Sequence, residues 1–218
     1  MQPSKEINLP SCVAIVGADG SGKTTLSRWL EEFLAERGVK SEIVWSRFMN
    51  YFSKPLLALT RLSGHNYYSN HDGTRFGFHN FENLVGYREL FAALQAVDVN
   101  IAAWARIRRR CDDGLVICER CPWDTLVDVT SDTGLAWLPE SCLGSAYTLM
   151  LPKDTLTIYV SRSRENILTH RPELVHDGKL GLRIDLYSDL ARLKGWRVVN
   201  NNGALDDAKD QIRAMLRL

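Results

Sequence analysis

Residues 17–24 read Gly17-Ala18-Asp19-Gly20-Ser21-Gly22-Lys23-Thr24, an unbroken G-x-x-x-x-G-K-T. Few folds are open to a chain that carries this octapeptide. Its glycines let successive backbone N–H groups converge on one point, and a helix starting there adds its positive pole. The flanks comply. Cys12–Val16 (CVAIV) is an apolar run that predicts a strand entering the loop, and a helical pattern runs from Lys23 to about Glu36 and stops at Gly38. In that setting the backbone of Gly17, Gly20, Ser21 and Gly22 cradles phosphate oxygens, with Asp19 and Thr25 beside them. Lys23 reaches the β- and γ-phosphates, and the Thr24 hydroxyl ligates Mg²⁺. A glycine-rich turn with an incidental lysine is the competing reading, which the strand before and the helix after disfavour.

Apolar, β-rich runs alternate with helical patterns along the rest of the chain. Strands are predicted at Val39–Trp45, Leu115–Cys118, Thr155–Val160 and Trp196–Val199, and helices at about Leu84–Arg110, Arg164–His170, Leu182–Lys194 and Leu205–Leu216. This alternation argues for a parallel sheet covered on both faces. A long insertion separates the second strand from the third. The 218 residues suffice for one core, in a single domain. A formal net charge of +1 makes no electrostatic case for a nucleic-acid partner. No run of about 18–20 uncharged apolar residues is evident, so no membrane span is expected. Residues 1–11 lack the apolar core of a signal peptide. Five irregularly spaced cysteines fit a reducing compartment, and a cytoplasmic location is expected.

The third strand runs into Cys118-Glu119-Arg120-Cys121 and stops at Pro122. Its C-x-x-C spacing raises the question of zinc or a redox dithiol. Zinc needs four ligands, and no second C-x-x-C or H-x₃₋₅-H lies at suitable spacing. A redox dithiol places its first cysteine at a helix N-terminus, not inside a strand. Cys118 therefore reads as a small buried apolar residue, and the charges between the cysteines become the candidates. Ligands of open α/β sheets sit beyond the carboxyl ends of the strands. There Glu119 can hold a Mg²⁺-bound water and Arg120 can clamp phosphoryl oxygens; a salt bridge closing the strand is the structural alternative.

Gly17–Thr25 (GADGSGKTT), the strand ending Cys118-Glu119-Arg120 and the later arginines together resemble the thymidylate kinases and their thymidylate kinase-like relatives. The resemblance implies a P-loop NTPase fold, a three-layer α/β/α sandwich with a five-stranded parallel sheet. It also implies ATP as donor, Mg²⁺ as cofactor, a lid after the fourth strand and a homodimer. The lid candidate is residues 161–179, where Arg162, Arg164 and Arg171 crowd a helix that Pro172 must stop near His170. Such lid cations neutralise the transferring phosphoryl group in relatives with glycine at the position of Gly20; a solvated basic helix face is the alternative. Asn200-Asn201-Asn202-Gly203 follows the fifth strand, where the family's loop lies along the adenine, and Asn201 is the candidate contact. A plain turn before the last helix is the other reading.

The acceptor is expected between the second strand and the insertion, residues 47–110. Arg47 stands where thymidylate kinases place an arginine against the acceptor phosphate, and where deoxynucleoside kinases place a glutamate base. A phosphate acceptor needs cations, whereas a hydroxyl acceptor needs a base, so Arg47 favours a small-molecule monophosphate. On the insertion's long helix, Tyr87, Phe91, Leu94, Asp98, Ile101 and Ala105 share one face by 3.6-residue periodicity. Asp98 interrupts that apolar stripe and is expected to face the ligand cleft, with a buried structural hydrogen bond or ion pair as the alternative. Tyr87 and Phe91 could stack a base or belong to the core. The family's mid-helix arginine is absent from Val97-Asp98-Val99, and Arg88 is the possible substitute. Phe48–Leu62 reads as an apolar flap anchored by Lys54 and Arg61. His65, His71 and His79 lack metal spacing and are expected in loops. Two rival readings stay open: a kinase for a hydroxyl acceptor, with Asp98 or Glu119 as base, and a nucleotide-binding module without transfer.

Overall fold

The computed structural model describes residues 9–47, 50–71, 74–79 and 81–217. Its elements are β1 (Cys12–Val16), α1 (Lys23–Ala35), β2 (Ser41–Val44), α2 (Lys54–Leu62), a hairpin of β3 (Asn66–His71) and β4 (Thr74–His79), then α3 (Tyr87–Arg106), β5 (Leu115–Cys118) and α4 (Pro122–Thr133). There follow α5 (Cys142–Ala146), β6 (Leu156–Ser161), α6 (Arg164–His170), α7 (Leu180–Lys194), β7 (Arg197–Asn200) and α8 (Leu205–Leu216). β2, β5, β1, β6 and β7 form, in that order, one all-parallel sheet, with Cys12 beside Val116 and Val13 beside Leu156.

Strand alternation makes the three layers. Cys12, Ala14, Val16, Val116, Cys118 and Tyr159 point to one face, where they pack with Phe91 of α3, Leu126 of α4 and Tyr187 of α7. Val13, Ile15, Ile117, Ile158 and Val160 point to the other, against Leu26 and Leu30 of α1 and Ile212 of α8. Cys118 is fully buried in this core, and all five cysteines are free thiols.

The five sheet strands lie where the pattern predicts them, with ends moved; β2 is only Ser41–Val44, not Val39–Trp45. The long helix stops at Arg106 and continues as a 3₁₀ turn, Arg108–Arg110. Its buried face differs from the predicted stripe. Phe91, Gln95, Ala96, Val99, Ala102 and Ala103 face inward with Asp98, while Ile101 and Ala105 are exposed. Tyr87–Arg110 is long and apolar enough to cross a membrane by length and composition alone, although Arg88, Glu89, Asp98 and the closing arginines keep it from being an uncharged apolar run. Half of its most apolar stretch is buried inside the protein, where α3 packs on α4 and α5.

Sequence reasoning missed α2, the hairpin, α4 and α5. α4 is the consequential omission. Pro122 occupies its first turn, the Asp124 carboxylate accepts from the Cys121 N–H at 2.9 Å, and Gly134 closes it in the left-handed region at φ 67°. Almost every α4 side chain is buried, polar ones included. Thr130 and Thr133 donate back to the Leu126 and Val129 carbonyls at 2.8 and 2.6 Å.

Candidate functional site

The phosphate loop joins β1 to α1. Gly22 precedes the helix at φ 100°, and a Cβ there would lie 2.4 Å from the Asn201 amide nitrogen. Gly20 has φ 80°, and a Cβ there would meet Ile167 of α6 at 2.8 Å. Both positions require glycine, for backbone shape and for space. Asn201 is buried and donates to the Ser21 carbonyl at 2.7 Å. Its side-chain amide is thus engaged in bracing the loop, a role not expected from the sequence, which made it a candidate contact for the adenine.

The Lys23 ammonium is buried and donates to the Gly17 and Ala18 carbonyls at 2.6 and 2.8 Å. Burial, then the neighbouring Arg120 charge, lower its pKa from 10.5 to about 8, against the pull of Asp19. The folded value lies below the unfolded one, so the buried charge opposes folding below about pH 8, and this opposition is relieved as pH rises from there toward 10.5. Phosphates bound at the loop would hold that proton in place. Nucleotide affinity should therefore fall above pH 8, by at most about tenfold per unit, with proton uptake on binding. Calorimetry in buffers of different ionisation heat measures the uptake; pH-independent binding between 8 and 10 would refute it.

Glu119 and Arg120 leave β5 at the same sheet edge. The Thr24 hydroxyl donates to the Glu119 carboxylate, and Arg120 pairs with Asp19. Burial raises the Asp19 pKa, but Arg120, Lys23 and Arg47 outweigh it and hold the carboxyl well below the usual range. Arg120 takes φ 112°, a region costing a non-glycine residue about 1–3 kcal/mol. The Ser46 N–H, donating to the Arg120 carbonyl at 2.8 Å, helps hold it there.

A cleft of about 440 Å³ opens over the loop, lined by Asp19, Gly20, Gly22, Lys23, Thr24, Thr25, Arg120, Arg162, His170 and Arg171. Arg162 reaches back from the end of β6 to the Gly20 carbonyl at 3.3 Å and touches the His170 ring at 3.0 Å. Arg171 pairs with Glu173. Of the lid cations read from the sequence, Arg162 and Arg171 line the cleft, whereas Arg164 is exposed on α6 and does not. His170 joins them, a residue read from the sequence only as the end of the lid helix.

On the other side of the loop, Arg47 donates from Nε and pairs through Nη2 with the same Asp128 oxygen, each at 2.7 Å. Asp128 lies on α4 between Asp124 and Asp132. The three aspartates recur every fourth residue on one helix face, a D-x₃-D-x₃-D spacing that could have been read from the sequence. Tyr187 donates to Asp124 at 2.6 Å, and Arg183 reaches Asp177, Asp128 and Asp132 at 2.7, 3.4 and 3.6 Å. Lys179 lies 3.5 Å from Asp132. His79 belongs to this neighbourhood at the end of β4, not to a loop, and burial lowers its pKa. The side chain of His71, and Phe48 and Met49 of the flap, lie outside the described residues.

The long helix contributes less than expected. Asp98 is fully buried and accepts from the N–H groups of Tyr51, Phe52 and Ser53 at 3.1, 2.8 and 3.0 Å, and from the Ser53 hydroxyl at 2.6 Å. It anchors the start of α2 and does not face the cleft, which corrects the expectation. Tyr87 and Phe91 stack on each other at 6.0 Å and pack edge-on against Phe81 in the core. Arg88 turns to Glu89 and the Glu82 carbonyl at 2.8 Å each. Arg106 and Arg110 tie down the Trp45 carbonyl and Glu42.

A glycine-rich phosphate loop between the first strand and helix of a five-stranded parallel sheet, with helices on both faces, makes the fold a P-loop NTPase-like three-layer sandwich. No family model matches the chain, and no curated protein matches it in sequence. Mg²⁺ in such sites takes one or two protein oxygens beside phosphates and water. Thr24 and Glu119, in contact at the cleft, fit that donor set, and among the described residues no cluster of three His, Cys, Asp or Glu could hold a metal alone.

Proposed function

We propose that this chain is an ATP-dependent phosphotransferase of the thymidylate kinase-like type, moving a phosphoryl group to a nucleoside monophosphate. The observation that carries this reading is the convergence of Lys23, Arg120, Arg162 and Arg171 on one phosphate-loop cleft. Four cations against Asp19 and the neighbouring Glu119, among the described residues, leave an excess of positive charge that suits a polyphosphate chain. The loop N–H groups and Lys23 hold the donor phosphates. Arg120, fixed by Asp19, and the lid residues Arg162 and Arg171 neutralise charge on the phosphoryl group in flight. Thr24 and Glu119 would hold Mg²⁺, which supplies further neutralisation of the phosphates. Arg47 meets the acceptor phosphate. Asp19, paired with Arg120, and Glu119 would organise a Mg²⁺-bound water or the acceptor. The homodimer and cytoplasmic location expected from the sequence belong to the same proposal.

One observation favours a second reading. The Asp128 carboxylate lies in a slit beside Gly17–Asp19, where a base for a hydroxyl acceptor would stand. Asp98, earlier a candidate for that role, is engaged elsewhere. The test is acceptor-dependent ADP formation with ATP and Mg²⁺ across dTMP, dUMP, the other nucleoside monophosphates and free nucleosides. Turnover confined to one or two monophosphates supports the first reading, and turnover with nucleosides alone replaces it with the second. ATP binding without turnover on any acceptor in the panel removes the kinase reading for these acceptors.

A further inference from the structure

Arg183 has no part in the site as read from the sequence, yet its surroundings resemble one half of an anion site. It projects from α7 toward Asp128, whose Oδ1 lies 3.4 Å from Arg183 Nε while Oδ2 lies 2.7 Å from Arg47. One carboxylate thus presents one oxygen to each of two guanidiniums brought from separate elements. Asp128 is 2% exposed, Arg47 16% and Arg183 20%, so these charges meet largely out of water. Planar guanidinium forks that converge on paired oxygens are the donor arrangement that recognises a phosphate as readily as a carboxylate. Arg183 Nε is also buried without a hydrogen-bond acceptor in line. A buried N–H left so is unfavourable, and an acceptor oxygen placed there satisfies it.

The location matches. Asp19, Arg47, Arg120, Asp128, Asp177 and Arg183 bound a slit beside the phosphate loop whose free volume is only about 10 Å³. In it three arginines face three aspartates, so the charges already balance and a phosphate dianion has no room, steric or electrostatic, unless a carboxylate leaves. Asp177 has its own short contact with Arg183, and Asp19 holds Arg120. Asp128 is the carboxylate on both Arg47 and Arg183.

We propose that Arg47 and Arg183 together form the subsite for the acceptor's phosphate, and that the Asp128 carboxylate occupies this subsite until the phosphate displaces it. The proposal rests on the phosphate-acceptor reading above and deepens it. It makes Arg183 a binding residue and Asp128 a determinant of specificity, since an uncharged acceptor group gains nothing from displacing Asp128.

The test is titration of inorganic phosphate into protein saturated with ADP and Mg²⁺, followed by calorimetry. Arg183→Gln should weaken phosphate binding by about tenfold or more, and Arg183→Lys by less, because the charge stays but the fork is lost. Asp128→Asn, close to isosteric, should tighten it by about fivefold, since the competing charge is gone. Arg192→Gln, on the exposed side of α7, should leave it unchanged. A gain cannot arise from misfolding, so the Asn variant keeps the test sound even if Arg183→Gln folds poorly. Phosphate binding unaltered in both Arg183 variants, weaker binding by Asp128→Asn, or no phosphate binding beside ADP overturns the proposal. Failure of ADP itself to bind counts against the proposed function alone. The titration is then made on Lys23→Ala protein, whose phosphate loop no longer competes, and the same order of variants is required.

Discussion

Lys23→Ala is expected to reduce phosphoryl transfer by about a thousandfold or more while leaving the fold in place. The size of the loss follows from position. Lys23 opens α1, and its ammonium already lies over the loop on the Gly17 and Ala18 carbonyls at 2.6 and 2.8 Å, where donor phosphates would replace them. The intact fold follows from the energetics of burial. A buried ammonium whose pKa falls to about 8 is held against its own hydration preference, so removing it relieves desolvation as well as breaking two hydrogen bonds. Far-ultraviolet circular dichroism and a urea titration should match wild type within about 1 kcal/mol. More than about a tenth of the activity retained would remove Lys23 from the transfer step.

Asp98→Ala should have the opposite profile, a large loss of stability with donor-nucleotide binding intact. Three backbone N–H groups and the Ser53 hydroxyl converge on that carboxylate, and Gln95 supports Ser53 from the same helix at 2.8 Å. Alanine strands four donors in a buried place and should lower unfolding free energy by about 3–5 kcal/mol. Asparagine keeps the shape but offers one carbonyl oxygen instead of two, and should lose about 2 kcal/mol. Urea denaturation reads both. A loss below about 1 kcal/mol for alanine, or a change confined to acceptor KM, would return Asp98 to the ligand cleft.

These two residues mark how far the sequence could be read. The setting of Lys23 was legible because it is local: the loop, the strand before it and the helix after it lie within residues 12–35. Asp98 was half legible. Its place on an apolar stripe announced burial, but the groups that satisfy it lie 45–47 residues earlier, in a segment that read only as an apolar flap. The brace made by Asn201 was hidden in the same way, since its partner Ser21 is 180 residues distant. α4 was missed for a different reason. Thr125, Val127, Val129, Thr130 and Thr133 are β-branched, and burial on nearly every side leaves the four-residue spacing of Asp124, Asp128 and Asp132 as its main helical signal.

The sequence by itself determined the phosphate loop, the alternation that builds a five-stranded parallel sheet, and the placement of Glu119 and Arg120 at its carboxyl edge. Each rests on short-range rules of backbone geometry and side-chain period. Only the tertiary structure decided which cations line the cleft, that Asp98 holds α2, and that Asp128 stands between Arg47 and Arg183. Arg47 and Asp128 are 81 residues apart, and no periodicity relates them. Charge pairing inside a protein depends on which elements the core brings together, because only there does low hydration make one partner far better than water.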